Sequence, residues 1–227
     1  MIVFKLILAA LIGYLVGCIN PSYIIGRLRG FDIREKGSGN AGASNAMIVM
    51  GKAVGAFSAV FDILKAAAIM WLAPVLFKNT FAVAEVAGAC CILGHIHPVF
   101  MKFKGGKGLA CLGGAFLAID WRLTIVILVV EVGAALLFDY ICVMPLSASV
   151  LLPLLYGILG DGGFGILLRG TAGWWGAAAF GVVGVFIVLK HRENLQRIRE
   201  NRELHLSYLW SKDKDAEIAR VTAPRDN

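Results

Sequence analysis

Charge is scarce in this chain of 227 residues: 16% are Asp, Glu, Lys or Arg, against 59% hydrophobic residues. Ordinary soluble domains carry about 25% charged and 45–50% apolar residues. A water-soluble fold of this size cannot hide so much apolar surface, so the composition predicts an integral membrane protein. Basic blocks interleaved with aromatics are missing too. The net charge of +7 therefore points to phosphate groups and anionic lipid heads, and nucleic acid is excluded as a partner. None of the five cysteines (Cys18, Cys90, Cys91, Cys111, Cys142) stands in a C-x-x-C pair, which argues against a disulfide framework and a zinc site. No metal and no cofactor is expected. There is no G-x-x-x-x-G-K-[ST] loop, since Gly51-Lys52 is followed by Ala53.

What is present is a series of apolar runs, at 3–25, 53–73, 81–100, 109–119, 123–138, 141–160 and 173–190. With about 20 residues needed per crossing, fewer inside a bundle, these predict an all-α membrane protein of about seven transmembrane helices. Residues 1–210 form one polytopic domain and 211–227 a polar tail. Leu15-Val16-Gly17-Cys18 resembles a lipoprotein cleavage box, but more membrane protein follows, and a first span is the simpler reading. With the N-terminus outside, the inner segments hold five basic residues at 26–52, three at 101–108 and nine from Lys190 onward, against three outside (Lys78, Arg122, Arg169). Cytoplasmic segments collect Lys and Arg, so the C-terminus is predicted in the cytoplasm, and the three long polar segments can meet there.

Those segments carry the chemistry. The first contains Gly37-x-Gly39-x-x-Gly42, which has the form of a dinucleotide fingerprint but lacks the β-strand–helix setting that motif needs. Its physics survives: glycines let backbone N–H groups converge on an anion, and Ser38, Asn40, Ser44 and Asn45 add neutral donors. The second is GHIHPVFMKFKGGKG, residues 94–108, where Lys102, Lys104 and Lys107 alternate with Gly105, Gly106 and Gly108, a second anion cradle. His95 and His97 are read as structural, no ligand-spaced carboxylate or cysteine being nearby in sequence. The third, HRENLQRI from His191, puts His191, Asn194 and Ile198 on one face of an amphipathic helix over 191–210, with Glu193/Arg197 and Arg199/Glu203 as i,i+4 pairs. Asp62, Lys65, Glu85 and Glu131 fall within spans, where they must pair or face a polar interior. They are the best support for a rival reading, a transporter of a phosphorylated anion.

Together, FDIREKGSGNAGASN, GHIHPVFMKFKGGKG and HRENLQRI, with Asp62-x-x-Lys65, resemble the motifs of the bacterial acyl-phosphate-dependent glycerol-3-phosphate acyltransferase family, from about Gly17 to Glu203. The resemblance implies a seven-span fold with its site at the cytoplasmic face of the bacterial inner membrane. It implies transfer of a fatty acyl group from acyl phosphate to the sn-1 hydroxyl of glycerol 3-phosphate, giving lysophosphatidic acid and phosphate for phospholipid synthesis. Contact with the enzyme that supplies acyl phosphate is also implied. Carried over by motif, Ser38, Lys104, His191 and Asn194 are the catalytic candidates. Gly37, Gly39, Asn40, Gly42, Asn45, Gly105, Gly106 and Lys107 are the substrate-binding ones. The proton acceptor is His191 or a phosphate oxygen of the donor; Ser38 as a covalent nucleophile has no base adjacent in sequence. The H-x-x-x-x-D motif of other glycerolipid acyltransferases is absent at all four histidines. The sequence departs from the family's pattern at Ala41 (usually Pro), Cys111 (Thr), Asn201 (Gly) and, more seriously, Ile48, where the family has an arginine for substrate phosphate. Lys52, one turn further on, is the expected replacement; otherwise the chain is a divergent paralogue with another acceptor or none.

Overall fold

The computed structural model describes residues 1–159, 173–203 and 205–207. The polar tail 211–227, Arg169 and the end of the predicted sixth span lie outside the described residues. Among the described residues ten α-helices are formed: α1 (Ile2–Gly17), α2 (Pro21–Leu28), α3 (Ala43–Met50), α4 (Lys52–Leu76), α5 (Val83–Ile96), α6 (Leu109–Ile119), α7 (Trp121–Phe138), α8 (Val143–Leu159), α9 (Gly173–Lys190) and α10 (Arg192–Arg199). Each predicted apolar run is helical over most of its described length. Among the described residues, four stretches are long and apolar enough to cross a membrane: Lys52–Leu76, Val83–Met101, Trp121–Phe138 and Gly173–Lys190. The α1–α2 pair makes a fifth if it counts as one span, and α6 and α8 are shorter.

The first run is not one straight helix. Its two halves meet at 43° because Asn20 caps α2, accepting from the Tyr23 N–H at 2.8 Å, with Pro21 at the first helical position. Asparagine at the cap and proline just inside it start a new helix. The break leaves carbonyls at the end of α1 and in the link after it without helical donors. Lys65 of α4 supplies them, donating to the Gly17 and Ile19 carbonyls at 2.9 and 2.6 Å.

Helix α1 packs closely on α5 because Gly13 and Gly17, four residues apart, remove side chains where the backbones meet. A Cβ on Gly13 would lie 2.2 Å from the Ala87 carbonyl oxygen, and one on Gly17 2.0 Å from that of Cys91. Small residues at this spacing are how helices approach each other in lipid, where the hydrophobic effect gives no drive for association. The core between α4, α5, α6, α8 and α9 is filled by Met70, Ile92, Leu112, Phe116, Tyr156, Phe180 and Val183. A smaller core of Ile33, Ala41, Ala46 and Met101 joins the first and second polar segments.

The connections sort into two ends. At one, Lys5 of α1 donates to the Lys78 carbonyl after α4, and Trp71 near the end of α4 donates to the Ala118 carbonyl near the end of α6. The three polar segments gather at the other. The α7–α8 turn joins them there, because Tyr140 and His205 form a β-bridge and Asp139 takes His205 Nδ1 at 2.9 Å and Ser207 Oγ at 2.8 Å.

Two expectations need correction. The 26–52 segment is not simply a polar join: it contains α3, which Gly51 (φ 97°) breaks from α4. Lys52 therefore opens the next helix and does not continue a turn beyond Ile48. The tail helix ends at Arg199, short of 210, so Arg199 and Glu203 are not a helical pair. Arg197 takes Glu203 instead, Nε to Oε2 at 2.6 Å, and Arg202 lies 3.5 Å from Glu200.

Candidate active site

The first glycine segment is a turn braced from inside. Gly37 and Gly39 adopt φ of 59° and 71°, the left-handed region that side chains resist. Between them the exposed Ser38 gives its backbone N–H to Asn45 Oδ1 at 2.8 Å. The Asn45 amide also donates to the carbonyls of Ile33, Lys36 and Asn40 at 3.0, 3.0 and 2.7 Å. Both ends of this buried side chain are thus spent on the loop, and a Cβ on Gly37 would lie 2.2 Å from Asn45 Oδ1. Asn45 shapes the cradle; the side chains at its rim are those of Ser38 and the half-buried Asn40. Gly42 starts α3, and Asn20 holds the Ala41 carbonyl at 2.9 Å.

The second segment is folded back on α5. Gly105 and Gly106 donate their N–H groups to the carbonyls of Ile96 and His95, at 3.1 and 3.0 Å. A Cβ on Gly106 would sit 2.0 Å from His95 Nε2. His95 is held from the other side by Asp62, whose Oδ1 lies 3.3 Å from His95 Nδ1 and 2.7 Å from Lys65 Nζ. Here the reading from spacing falls short: His95 does find a carboxylate and a cysteine, Asp62 and Cys111, their ligand atoms within 4.8 Å of one another. They arrive from other spans. The Lys65 ammonium, 2.7 Å from Asp62 and 3.3 Å from His95 Nδ1, already serves as this cluster's cation.

Arg34, a residue the motif reading passed over, ties the two loops together. Its Nε and Nη2 fork onto Asp32 at 2.9 and 2.6 Å while Nη1 donates to the carbonyls of Met101 and Lys104 at 2.6 and 3.3 Å. The hydrogen bonds from Arg34 keep the Asp32 carboxyl below its ordinary range. The D-x-R spacing was the available signal. Lys104 itself is exposed at the rim.

The third segment meets the second at Lys107, whose ammonium donates to Asn194 Oδ1 at 2.5 Å. Asn194 Nδ2 in turn donates to Glu203 Oε1 at 2.6 Å, and Arg197 neutralises the far oxygen of Glu203. Burial, then repulsion by Arg197, lowers the Lys107 pKa from its ordinary value. His191 is buried beside them at the start of α10. Its Nδ1 lies 2.8 Å from the Ile187 carbonyl, which can only accept, so Nδ1 carries the proton and Nε2 presents a lone pair. Burial, reinforced by Lys107 and Arg197, depresses its pKa to about 4. The structure thus brings Lys107, His191 and Asn194 together, and joins the Ser38 loop to the Lys104 turn through Arg34. Ile48 is 67% exposed on α3, with no basic side chain on its own helix.

The intramembrane acids are each matched locally. Asp62 pairs with Lys65, Glu85 accepts from Tyr156 at 2.6 Å, and Ser147 donates to Glu131.

Fold and site define a class: an all-helical membrane protein with a basic, glycine-rich site at one end of its bundle. Comparison gives the family. Residues 7–201 match the model described as glycerol-3-phosphate acyltransferase. A relative from Oceanobacillus iheyensis named glycerol-3-phosphate acyltransferase 1 is 35% identical, covering 91% of this chain and 97% of its own. One from Thermoanaerobacter, named glycerol-3-phosphate acyltransferase, is 32% identical over 88% and 95%. The glycerol 3-phosphate form of PlsY (YgiH), an integral membrane glycerol 3-phosphate acyltransferase, superimposes with a TM-score of 0.75 at 30% identity, covering 92% of this chain and 97% of that one. The lysophosphatidic acid form gives 0.73 at 29%, covering 88% and 94%. The chain belongs to the glycerol-3-phosphate acyltransferase family.

Proposed function

We propose that the chain transfers a fatty acyl group from acyl phosphate to the sn-1 hydroxyl of glycerol 3-phosphate, releasing inorganic phosphate and lysophosphatidic acid. It does so as a seven-span protein of the bacterial cytoplasmic membrane, N-terminus outside, with the site facing the cytoplasm. The observation that carries this reading is the meeting of two glycine-shaped anion loops with Lys107, His191 and Asn194 at one end of the bundle. A reaction between a lipid and a water-soluble phosphate needs its site at that boundary.

Acyl phosphate is a mixed anhydride, so the work left to the protein is positioning and charge stabilisation. The sn-1 oxygen attacks the acyl carbon, the bond from that carbon to the phosphate oxygen breaks, and the hydroxyl proton leaves with the phosphate. His191 Nε2 accepts a hydrogen bond from the glycerol and orients it. With a pKa of about 4 the ring is neutral at pH 7 and a poor proton sink, which favours the phosphate of the donor as final acceptor. Asn194 trades Glu203 or Lys107 for a second hydroxyl. The turn at Gly37, Ser38, Gly39 and Asn40 holds phosphate, with Lys104 and Lys107 supplying charge; Gly105 and Gly106, whose N–H groups are spent on the Ile96 and His95 carbonyls, shape the turn that presents those lysines. Ile48 favours a second reading, a phosphorylated acceptor other than glycerol 3-phosphate.

The test uses purified protein in lipid with palmitoyl phosphate, following phosphate release and acylated product with glycerol 3-phosphate and with other polyol phosphates. Lysophosphatidic acid that disappears in Lys104→Ala supports the main reading. Product only with another polyol phosphate establishes the second, and no product from a folded protein sinks both.

A further inference from the structure

The turn after α5 displays what most loops hide. Phe100 and Phe103 are 73% and 57% exposed, and Val99, Lys102 and Lys104 beside them are exposed as well. The chain keeps them outward at a conformational cost. Lys102 and Phe103 both have left-handed backbones, φ 53° and 59°, which residues with a Cβ disfavour, two in succession especially. Several restraints impose this shape. The N–H groups of Met101 and Phe103 both donate to the Pro98 carbonyl at 3.0 Å, and Arg34 clamps the carbonyls of Met101 and Lys104. The Met101 side chain is buried against Ile33, Ala41 and Ala46. The result is a rigid ridge of two rings alternating with two ammonium groups.

Its position adds meaning. The ridge overlaps and follows the end of Val83–Met101, a stretch long and apolar enough to cross the bilayer, so it lies where hydrocarbon gives way to headgroups. The exposed tryptophans Trp71, Trp121, Trp174 and Trp175 lie towards the opposite end of the bundle, where interfacial anchoring is expected of them. The phenylalanines stand at the site end, and the core behind them contains Ile33 and Ala41, which lie on either side of the first glycine turn.

We propose that this ridge is the docking surface on which the acyl donor arrives laterally from the bilayer. An amphiphile with a long alkyl chain and a terminal phosphate lays its chain across Phe100 and Phe103, and its phosphate passes from Lys102 to Lys104. The inference rests on the acyl-phosphate reaction proposed above, and it assigns work to residues that reaction leaves unused. The water-soluble acceptor has no need of the rings, so the two substrates are separable in the test.

The experiment compares the wild-type protein with the Phe100→Ser/Phe103→Ser and Phe100→Leu/Phe103→Leu double variants in nanodiscs, using palmitoyl phosphate and the short-chain butyryl phosphate as donors. Removing the apolar ridge is expected to raise KM for palmitoyl phosphate about tenfold, leaving kcat, KM for glycerol 3-phosphate and turnover of butyryl phosphate within about twofold. The leucine variant is expected to restore most of the loss. An unchanged KM for palmitoyl phosphate, or equal losses with both donors, overturns the proposal. Binding of hexadecyl phosphate is measured in parallel on protein whose thermal unfolding matches wild type. If the wild-type enzyme turns over neither donor, the acyl-transfer reading fails, and hexadecyl phosphate affinity still decides the ridge: weakening in the serine variant supports it, no change refutes it.

Discussion

His191 should make the protein acid-sensitive in a defined window. In the unfolded chain this imidazole takes a proton near its ordinary pKa of 6.5, whereas in the fold burial and the neighbouring Lys107 and Arg197 hold it at about 4. The unfolded state therefore binds more protons between those values. Stability from this site is fully present above pH 6.5 and is lost as pH falls towards 4. At about 1.4 kcal/mol per pKa unit the full loss is about 3 kcal/mol, and about 2 kcal/mol is gone by pH 5. For a chain of this length that lowers Tm by roughly 4–8 °C. The comparison is His191→Asn, whose amide can still donate to the Ile187 carbonyl but does not titrate. Thermal unfolding of both proteins in detergent between pH 7.5 and 5 should show the wild type falling more steeply by about that amount. Parallel slopes would refute the reasoning.

Two further outcomes follow from the geometry. Gly17→Ala places a Cβ 2.0 Å from the Cys91 carbonyl oxygen, while Gly133→Ala meets nothing within 4 Å. The first should lose about 1–3 kcal/mol in thermal unfolding and the second nothing, and equal effects would discredit the close α1–α5 approach. Arg34→Lys cannot both fork onto Asp32 and reach Met101 and Lys104; faster amide hydrogen exchange across 99–106 and a stability loss of about 1–2 kcal/mol are expected, and unchanged exchange would show that Arg34 does not clamp the loops.

Much of this architecture was legible because lipid imposes simple rules. Apolar runs long enough to cross became helices, and polar segments were left to gather at the ends. What the sequence concealed depends on partners distant in the chain. The break at Asn20-Pro21 carried a local signal, a cap followed by proline, but the apolar residues on either side masked it. Helix α3 has only eight residues and sits inside a polar segment, and Gly51 separates it from α4 without any change in composition. His95 has no ligand-like neighbour in sequence, yet Asp62 and Cys111 reach it from two other spans. Asn45 stands among the loop's donors in sequence, but only the fold shows its amide turned inward. Arg197 and Glu203 are six apart, a spacing no helical rule pairs; they meet because the helix stops at Arg199.

The candidate site draws on residues 34–46, 104–107 and 191–203, and His205 and Ser207 beyond it are fastened to the α7–α8 turn through Asp139. During synthesis, Lys107 emerges long before Asn194, its hydrogen-bond acceptor. A nascent chain that has inserted only its earlier helices holds an open glycine turn and a lysine without that acceptor. The contacts of Lys107 with Asn194, and of Asn194 with Glu203, are complete only once the last long helix is in place and α10 follows it.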